Sequence, residues 1–542
     1  MPDETQPTAD KPASGGLAKN AAITFVGTLA SRLLGMFREV LIAVTFSTAV
    51  TDVFFVAWRV PNALRALLAE GAASAALGPA FSEAQRPEAG SNERNLPRLR
   101  EVISRVGGAA FATLALATAL GVIFARPIFS LVSKGFAGDV ARFELGVLLL
   151  RLLFPFLFLM GWFAIGRTAL ERLGDFRTGS AASVLQNVAF VLAPFVLVPF
   201  APWLGLPPIA MMAVAALLGG FLQAMYLRPA LRRRGVLVRP TLARDPALRE
   251  VSRTFATMLY GQAVYQINVV LASRLLSSLE PGSASWNSYA QRIADIPQGL
   301  FTVSIAGAAA AEMERYAVDN DRTNVGLTLE RTISLSAFVA LPACVLLAVY
   351  SEAVVPVIFG YGRFASGANA QRNLIEVARS LEWQALTVAL FAFVHPMNRV
   401  FAAFKNRKPI LIASTLALLA FGLVSGPLTV RYGHVGVAMA GAVSGAVQLV
   451  ALAVQVRAQV PLEPWRMGGS LAKVLAATGV MALAARAAVQ WLPVRESHAS
   501  HKILAVVVGG ALALLYVGAA WILQCNEINE LRQKIARRRS RS

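Results

Sequence analysis

Apolar segments of roughly 20 residues recur along this sequence from Ala21 to its C-terminal end, and each is long enough to cross the ~30 Å hydrocarbon core of a bilayer as an α-helix. Of the 542 residues, 56% are hydrophobic and only 15% are charged, whereas soluble proteins carry about 25% charged residues. We therefore predict an all-α fold, that of a polytopic helical membrane protein.

We predict fourteen transmembrane helices from these segments. They cover residues 21–47, 52–80, 103–130, 144–172, 180–202, 207–229, 253–279, 285–312, 329–352, 376–404, 409–429, 434–457, 468–491 and 502–524. The polar remainder comprises a disordered N-terminal tail at 1–20, a basic loop at 230–252 and a basic C-terminal tail at 525–542. The N-terminal tail has no apolar core, so it is not predicted to be a cleaved signal peptide.

Basic residues divide the connections between these spans into two alternating kinds. The basic kind contains Arg86, Arg94, Arg98, Arg100, Arg172, Arg177, Arg232, Arg233, Arg234, Arg239, Arg244, Arg315, Arg322, Lys405, Arg407, Lys408 and, in the tail, Arg537, Arg538 and Arg539. Positively charged connections stay in the cytoplasm, which predicts that both termini are cytoplasmic. The net charge of +21 is then a consequence of topology, and we expect no nucleic-acid partner.

Ionisable and polar side chains inside the spans concentrate in the first, second and eighth. They are Arg32, Arg38 and Glu39 in the first, Asp52, Arg59, Asn62, Arg65 and Glu70 in the second, and Arg292 and Asp295 in the eighth. A charge at the bilayer centre costs a few kcal/mol, so such residues face protein or water and are functional candidates by default. The spacing of three in the pairs Asn62–Arg65 and Arg292–Asp295 places each pair on one helix face.

The arginines of these spans outnumber the acids beside them. For Arg59 and Glu70, structural pairing and function are equally good explanations. The other four guanidiniums face at most three carboxylates, and the planar, bidentate fork of arginine suits phosphate. We predict a water-filled cavity in which these arginines bind a phosphorylated substrate. The alternative is that each arginine only pairs with a carboxylate or reaches an interface.

The sequence offers few other sites. The stretches outside the spans are too short to enclose a catalytic domain, and no G-x-x-x-x-G-K-[ST] loop is present, so we expect a transporter without a cofactor rather than an enzyme. Cys344 and Cys525 lie in apolar helical context and predict no disulfide. His498 and His501 lack the further ligands that zinc normally takes, so we predict no metal site.

The charged spans resemble the MurJ (MviN) family of lipid II flippases. The matching motifs are S-R-L-L-G-M-F-R-E at 31–39, T-D-V-F-F-V-A-W-R-V-P-N-A-L-R at 51–65 and S-W-N-S-Y-A-Q-R-I-A-D-I-P-Q-G at 285–299. Two further segments, F-G-Y-G-R-F at 359–364 and R-V-F-A-A-F-K-N-R-K-P at 399–409, are also similar to the family. The resemblance runs from about Ala21 to Arg457.

This resemblance implies the multidrug/oligosaccharidyl-lipid/polysaccharide exporter fold, in which two six-helix lobes enclose a central cavity and two C-terminal helices are added. The lobes would cover residues 21–229 and 253–457, and the added helices 458–524. The residues implied to bind substrate are Arg32, Arg38, Arg65 and Arg292, supported by Glu39, Asp52, Asn62 and Asp295.

The function implied by the resemblance is translocation of lipid II, the undecaprenyl-pyrophosphate-linked disaccharide peptide, across the bacterial inner membrane by alternating access. The partners implied are lipid II and the bilayer, with cell-wall synthesis proteins as candidates. The alternatives are an exporter of another polyprenyl-linked saccharide or of a drug, and a membrane glycosyltransferase or ligase.

The sequence departs from the family pattern at several positions. Glu39 stands where an Asp is usual. Ala272 stands where some members carry an acidic residue of a sodium site, and the eleventh span lacks the amides that complete that site. We therefore do not expect sodium coupling through that site.

Overall fold

A computed structural model describes residues 14–67, 71–87, 93–243, 245–299, 303–491 and 499–528. Within these ranges the chain forms eighteen α-helices joined by short 3-10 turns and loops, which confirms the predicted all-α fold class. Glu70, Arg244, His498 and the tail arginines Arg537, Arg538 and Arg539 lie outside the described residues.

The helices follow one another with short connections. The first eight are α1 Ser14–Thr45, α2 Thr48–Arg65, α3 Gly71–Ala84, α4 Leu96–Ile123, α5 Ala125–Val132, α6 Val140–Arg172, α7 Phe176–Val196 and α8 Ala210–Arg233. The next eight are α9 Pro246–Ser277, α10 Ser283–Pro297, α11 Val303–Val318, α12 Arg322–Val349, α13 Ser351–Phe359, α14 Ala370–Ala403, α15 Lys408–Tyr432 and α16 His434–Gln459. The last two are α17 Pro464–Trp491 and α18 Ala499–Ile522.

Each predicted span coincides with one helix or with two consecutive helices. The second, third and eighth spans are each divided between two helices, and α10 ends at Pro297, a residue that disrupts helical hydrogen bonding. Among the described residues, ten helices are long and apolar enough to cross a membrane. The helices outside this group include α1, α2, α9 and α10, which carry polar and charged residues. The total of fourteen spans therefore stays a prediction.

The first helix begins at Ser14 and so includes residues 14–20, which the sequence analysis assigned to a disordered tail. No proline occurs between Pro12 and Pro61, so no missing backbone N–H interrupts the helical hydrogen bonds of this stretch. The apolar span therefore extends as a helix beyond its predicted start, whereas residues 1–13 lie outside the described part.

Acidic and amide side chains mark the starts of several helices. The Asn95 side chain accepts a hydrogen bond from the Arg98 N–H at 2.9 Å, ahead of α4. Asp139, Asp175 and Asp321 cap α6, α7 and α12 in the same way, each by accepting from the backbone N–H three residues later. These caps satisfy N–H groups that have no partner within the helix, and they fix the residue at which each helix begins.

The helices pack in three groups. In the N-terminal part, α6 packs against α2, α4 and α8, while α7 packs against α1 and α8. In the C-terminal part, α14 packs against α10, α11, α12 and α16, and α15 packs against α16. The last two helices pack on each other and on α12 and α13. Contacts of α9 with α2, α3 and α15 join the first two groups.

The outer faces of the long helices are apolar. Leu423 of α15, Leu483 of α17 and Leu514 of α18 are 76%, 74% and 74% exposed, respectively. Large aliphatic side chains with this exposure are costly in water but favourable in lipid. The exposed surface thus agrees with a protein that is embedded in a bilayer.

Candidate functional site

The charged residues of α1 and α10 meet around the carboxylate of Glu39. Its Oε1 accepts a hydrogen bond from Nη2 of Arg38 at 2.6 Å and from Nη2 of Arg292 at 3.3 Å. The Glu39 side chain is only 5% exposed. One buried oxygen therefore holds two guanidiniums that come from helices about 250 residues apart in sequence.

The second oxygen of Glu39 has no hydrogen-bond partner. Oε2 is buried and accepts no hydrogen bond, so the two arginines are held on one side of the carboxylate only. Arg38 is 11% exposed and lies over the ring of Phe190 at 4.9 Å, a cation–π contact. Arg292 is more open, with 34% of its side chain exposed, and it is the member of this trio that is accessible from outside the packed helices.

Arg32 and Asp295 form the second contact between α1 and α10. Nη1 of Arg32 donates to the backbone carbonyl of Asp295 at 3.0 Å, while the Asp295 carboxylate lies 3.7 Å from Nη1 of Arg292. The guanidinium of Arg32 lies directly against Gly299, where an added Cβ would approach its Cζ to 1.8 Å. The absence of a side chain at Gly299 is therefore what allows Arg32 to reach α10.

Arg65 and Asn62 lie on one face of α2, as their spacing predicted. Nε of Arg65 donates to Oδ1 of Asn62 at 3.1 Å. Arg65 and Arg292 are both within electrostatic range of Arg38. The structure thus brings the four predicted arginines into one neighbourhood, and Glu39 and Asp295 are the two predicted acids that lie among them.

Asp52 occupies a different place from the other predicted site residues. It is 3% exposed, and its carboxylate accepts hydrogen bonds from the N–H groups of Gly282 and Ser285 and from the Ser285 hydroxyl. These groups belong to the start of α10, so Asp52 caps that helix from α2. Asp52 forms no ion pair with the four arginines, all of which lie in the described part of the chain.

Several contacts between the two halves involve residues that the sequence analysis did not place in the site. Arg59 of α2 donates to Ser273 at 3.1 Å and to Ser288 at 3.3 Å, and Thr51 shares a hydrogen bond of 2.7 Å with Ser285. Their partners lie more than 200 residues away in sequence. Arg59 is recognisable in the sequence as an ionisable residue of the second span, but no local pattern could have identified these partners, because only folding brings α2 against α9 and α10.

The acidic, histidine and cysteine residues of the described ranges form no group of three or more that could hold a metal ion. The charged cluster itself is built for anion recognition, because its side chains are mainly guanidiniums. The guanidinium groups offer planar donor pairs to an anion such as phosphate, and a site shared by α1, α2 and α10 changes shape if these helices move relative to one another.

Comparison with known proteins identifies the family. The sequence profile described as "Lipid II flippase MurJ" matches residues 42–507. A probable lipid II flippase MurJ of Bdellovibrio bacteriovorus is 28% identical over 528 residues, which cover 95% of this chain and 96% of the relative. The corresponding protein of Haemophilus influenzae is 30% identical over 438 residues and covers 77% and 82% of the two chains.

Solved structures show the same fold. "Lipid II flippase MurJ, inward closed conformation" superposes with a TM-score of 0.74 at 22% identity and covers 94% of this chain and all of the other. A multidrug resistance MATE family transporter of the MOP superfamily, in an inward-facing conformation, superposes with a TM-score of 0.60 at 15% identity. This second match covers 81% of this chain and 98% of the transporter. Because the family profile covers most of its length, the chain belongs to the lipid II flippase MurJ family.

Proposed function

We propose that this protein translocates lipid II from the cytoplasmic to the periplasmic leaflet by alternating access, and that Arg32, Arg38, Arg65 and Arg292 bind the pyrophosphate. Membership of the family supports a transporter of this class, as do the curated relatives named as lipid II flippases. The transported substrate is the lipid itself, and no cofactor takes part in the proposal.

The observation that carries this proposal is the grouping of four arginines from three helices. Among the described residues, Glu39 and Asp295 pair with Arg38 and Arg292, whereas Asp52 is committed to the start of α10. A pyrophosphate would offer these clustered guanidiniums paired acceptor oxygens. Arg292, with a third of its side chain exposed, offers the accessible donor.

Placement of the cluster between the two halves of the chain supports coupling of binding to movement. Arg32 and Arg38 lie on α1, Arg65 on α2 and Arg292 on α10, so a bound anion would contact helices of both halves. A ligand shifts a conformational equilibrium only through its different affinity for the two states. An anion held by arginines from both halves would lose contacts when the halves separate. Its affinity would then differ between the two conformational states.

We also propose that the protein lies in the bacterial inner membrane with both termini in the cytoplasm, and that cell-wall synthesis proteins are partners. The alternating basic connections support the orientation. A fluorescent protein that matures only in the cytoplasm, fused after Ser542, tests it. Fluorescence is expected, and its absence together with activity of a periplasmic reporter at the same position would reverse the orientation.

The decisive experiment measures lipid II at the outer face of the membrane. Cells depleted of their own lipid II flippase would express this protein, Arg38→Ala, Arg292→Ala or the control Arg233→Ala, which removes an exposed arginine at the end of α8. A colicin-type nuclease that cleaves lipid II would be added from outside, at matched membrane levels of each protein. Cleavage is expected with the parent and with Arg233→Ala, and its loss is expected with the other two variants.

Each other outcome has a defined meaning. If a well-expressed parent gives no cleavage, lipid II is not the substrate, and another polyprenyl-linked saccharide becomes the leading candidate. If Arg38→Ala and Arg292→Ala both retain cleavage, the protein is a flippase but these arginines do not bind the substrate. A drug exporter would give drug resistance without cleavage.

A further inference from the structure

An apolar groove opens between three helices of the N-terminal part, away from the charged cluster. Both α4 and α8 pack against α6, and the groove between them has a volume of about 650 Å³. None of the described residues of α1, α2 and α10 lines it. The lining includes Ala119 of α4, Pro155, Phe158 and Leu159 of α6, and Val214 and Phe221 of α8.

The groove faces lipid. Its three helices are all long and apolar enough to cross a membrane. Phe221, which lines the groove, is 49% exposed, and an aromatic side chain with this exposure is favourable in lipid and costly in water. A lipid chain is therefore the surrounding material that covers this groove.

Arg151 lies on the same face of α6, one turn before the groove begins. It precedes Pro155 by four residues and Phe158 by seven, and both spacings return to one helix face. Its side chain is exposed. Pro155 lacks the backbone N–H that would reach the Arg151 carbonyl, so the helical hydrogen bonding is interrupted where the groove begins.

The depth of Arg151 corresponds to the edge of the hydrocarbon core. Residues 152–166 carry no charge, and Arg167 follows them. Arg151 and Arg167 are about 24 Å apart along the helix, somewhat less than the ~30 Å thickness of the core. Helical side chains lean towards the N-terminus of their helix, and the predicted topology places the start of α6 on the periplasmic side. The guanidinium of Arg151 is therefore expected at the level of the outer-leaflet phosphates.

The described part of the protein supplies no anion for Arg151. None of its residues forms an ion pair or a side-chain hydrogen bond with Arg151. The acid that precedes it on the same face of α6, Glu144, pairs with Arg126. A guanidinium beside lipid is costly unless it reaches water or a headgroup, and its paired donors suit a phosphate.

We propose that Arg151 and the groove bind one anionic phospholipid of the outer leaflet, phosphatidylglycerol, with its phosphate on Arg151 and an acyl chain in the groove. The groove begins one turn below Arg151 and extends about 10 Å along α8, from Val214 to Phe221. This range falls within the outer half of the core, about 15 Å deep. A zwitterionic headgroup fits less well, because the acid that could hold its ammonium, Glu144, already has Arg126.

The bound lipid would contact α4, α6 and α8 together. Because it binds the folded chain, it is expected to raise Tm by mass action. This inference is independent of the proposed transport of lipid II, since the charged cluster lies on other helices. Failure of the lipid site would leave the outcome of the nuclease assay unchanged.

The test measures lipid binding to the purified, delipidated full-length chain in detergent by native mass spectrometry. The probes are phosphatidylglycerol and a diacylglycerol with the same acyl chains, which lacks the phosphate. Arg151→Gln removes the donor, and Ala119→Phe fills the groove. The controls are Arg233→Gln, at an exposed arginine that ends α8, and Ala476→Phe, at an exposed alanine of α17.

We expect the parent and both controls to bind one phosphatidylglycerol more tightly than any further copies. Its affinity should fall about tenfold or more in Arg151→Gln, because a charge-assisted hydrogen bond is lost, and also in Ala119→Phe, because the chain loses its space. Diacylglycerol should bind the parent as weakly as phosphatidylglycerol binds Arg151→Gln. It should lose no further affinity in that variant, since both changes remove one contact.

Four results would overturn the proposal. They are unchanged affinity in both Arg151→Gln and Ala119→Phe, equal binding of diacylglycerol and phosphatidylglycerol to the parent, binding of phosphatidylethanolamine at least as tight as that of phosphatidylglycerol, and tight binding of undecaprenyl phosphate where phosphatidylglycerol does not bind. If Ala119→Phe does not fold, the comparison of two lipids on the parent and Arg151→Gln decides alone, because Arg151 is exposed.

Discussion

Asp52 of α2 holds the start of α10 through Ser285: its Oδ1 accepts the Ser285 backbone N–H at 2.8 Å and the Ser285 hydroxyl at 2.6 Å. The two residues lie 233 positions apart in sequence. A carboxylate at a helix N-terminus is favourable for the free N–H groups and for the helix dipole. This contact is therefore a strong link between the two halves of the chain.

Replacing Asp52 should weaken that link. We expect Asp52→Asn to lower the free energy of unfolding by about 2 kcal/mol, because the hydrogen bonds to a charged acceptor are lost or weakened. Ser285→Ala removes only the hydroxyl and should cost about 1 kcal/mol. Thermal or denaturant unfolding in detergent measures both, and an Asp52→Asn variant no less stable than Ser285→Ala would contradict the account.

The carboxylate of Glu39 is expected to be essential for placing Arg38 and Arg292. Glu39→Ala removes the carboxylate that pairs with both guanidiniums, which should cost about 3 kcal/mol of stability, as for other broken buried ion pairs. The same change should abolish lipid II cleavage in the nuclease assay. Glu39→Asp keeps the charge and should retain most of the stability and most of the lipid II cleavage. Full transport by Glu39→Ala at a normal membrane level would show that the ion pair is dispensable.

Gly299 should tolerate no side chain while Arg32 stays in place. Gly299→Ala introduces a Cβ that would overlap the Arg32 guanidinium, so Arg32 must leave its hydrogen bond with the Asp295 carbonyl. We expect the transport defect of Gly299→Ala to match that of Arg32→Ala, and the double variant to add little, since the changes act on one contact. Gly307→Ala is the control, because an added Cβ there meets no atom within 4 Å.

A third set of charges fixes the connection between α8 and α9 and predicts a pH dependence. Asp245 accepts from the Ala247 N–H at 2.8 Å, and its Oδ2 lies 3.0 Å from Nη1 of both Arg98 and Arg105. Burial opposes ionisation, but these hydrogen bonds outweigh it and lower the pKa of Asp245 below its ordinary value of 3.8.

A lowered carboxyl pKa stabilises the fold at neutral pH, and this contribution is lost as the pH falls below 3.8 towards the folded-state pKa. Asp245→Asn should therefore be less stable than the parent at pH 7, and the difference in Tm should shrink in acid. Thermal unfolding from pH 7 into acid measures this difference in Tm. Asp319→Asn, which replaces an exposed acid, is the control. A difference that grows in acid would show the opposite linkage.

The sequence supported the fold class and the charged cluster because both depend on composition along single helices. Apolar length identified the helices, and ionisable residues placed in apolar surroundings pointed to Arg32, Arg38, Arg65 and Arg292. The breaks after α2 and α10 were not predicted, since an apolar window averages over the residues where a helix ends. For the same reason the first span was predicted to start at residue 21, whereas α1 begins at Ser14.

What the sequence by itself determined is that this chain forms apolar helices with a few arginines and acids in α1, α2 and α10, because the cost of charge in an apolar segment is a local property. Only the tertiary structure decided how those charges are shared. It assigned Glu39 to Arg38 and Arg292, and it removed Asp52 from the cluster to the start of α10. The Glu39–Arg292 and Asp52–Ser285 pairings join residues more than 200 positions apart, and packing of distant helices, rather than any local pattern, selects them.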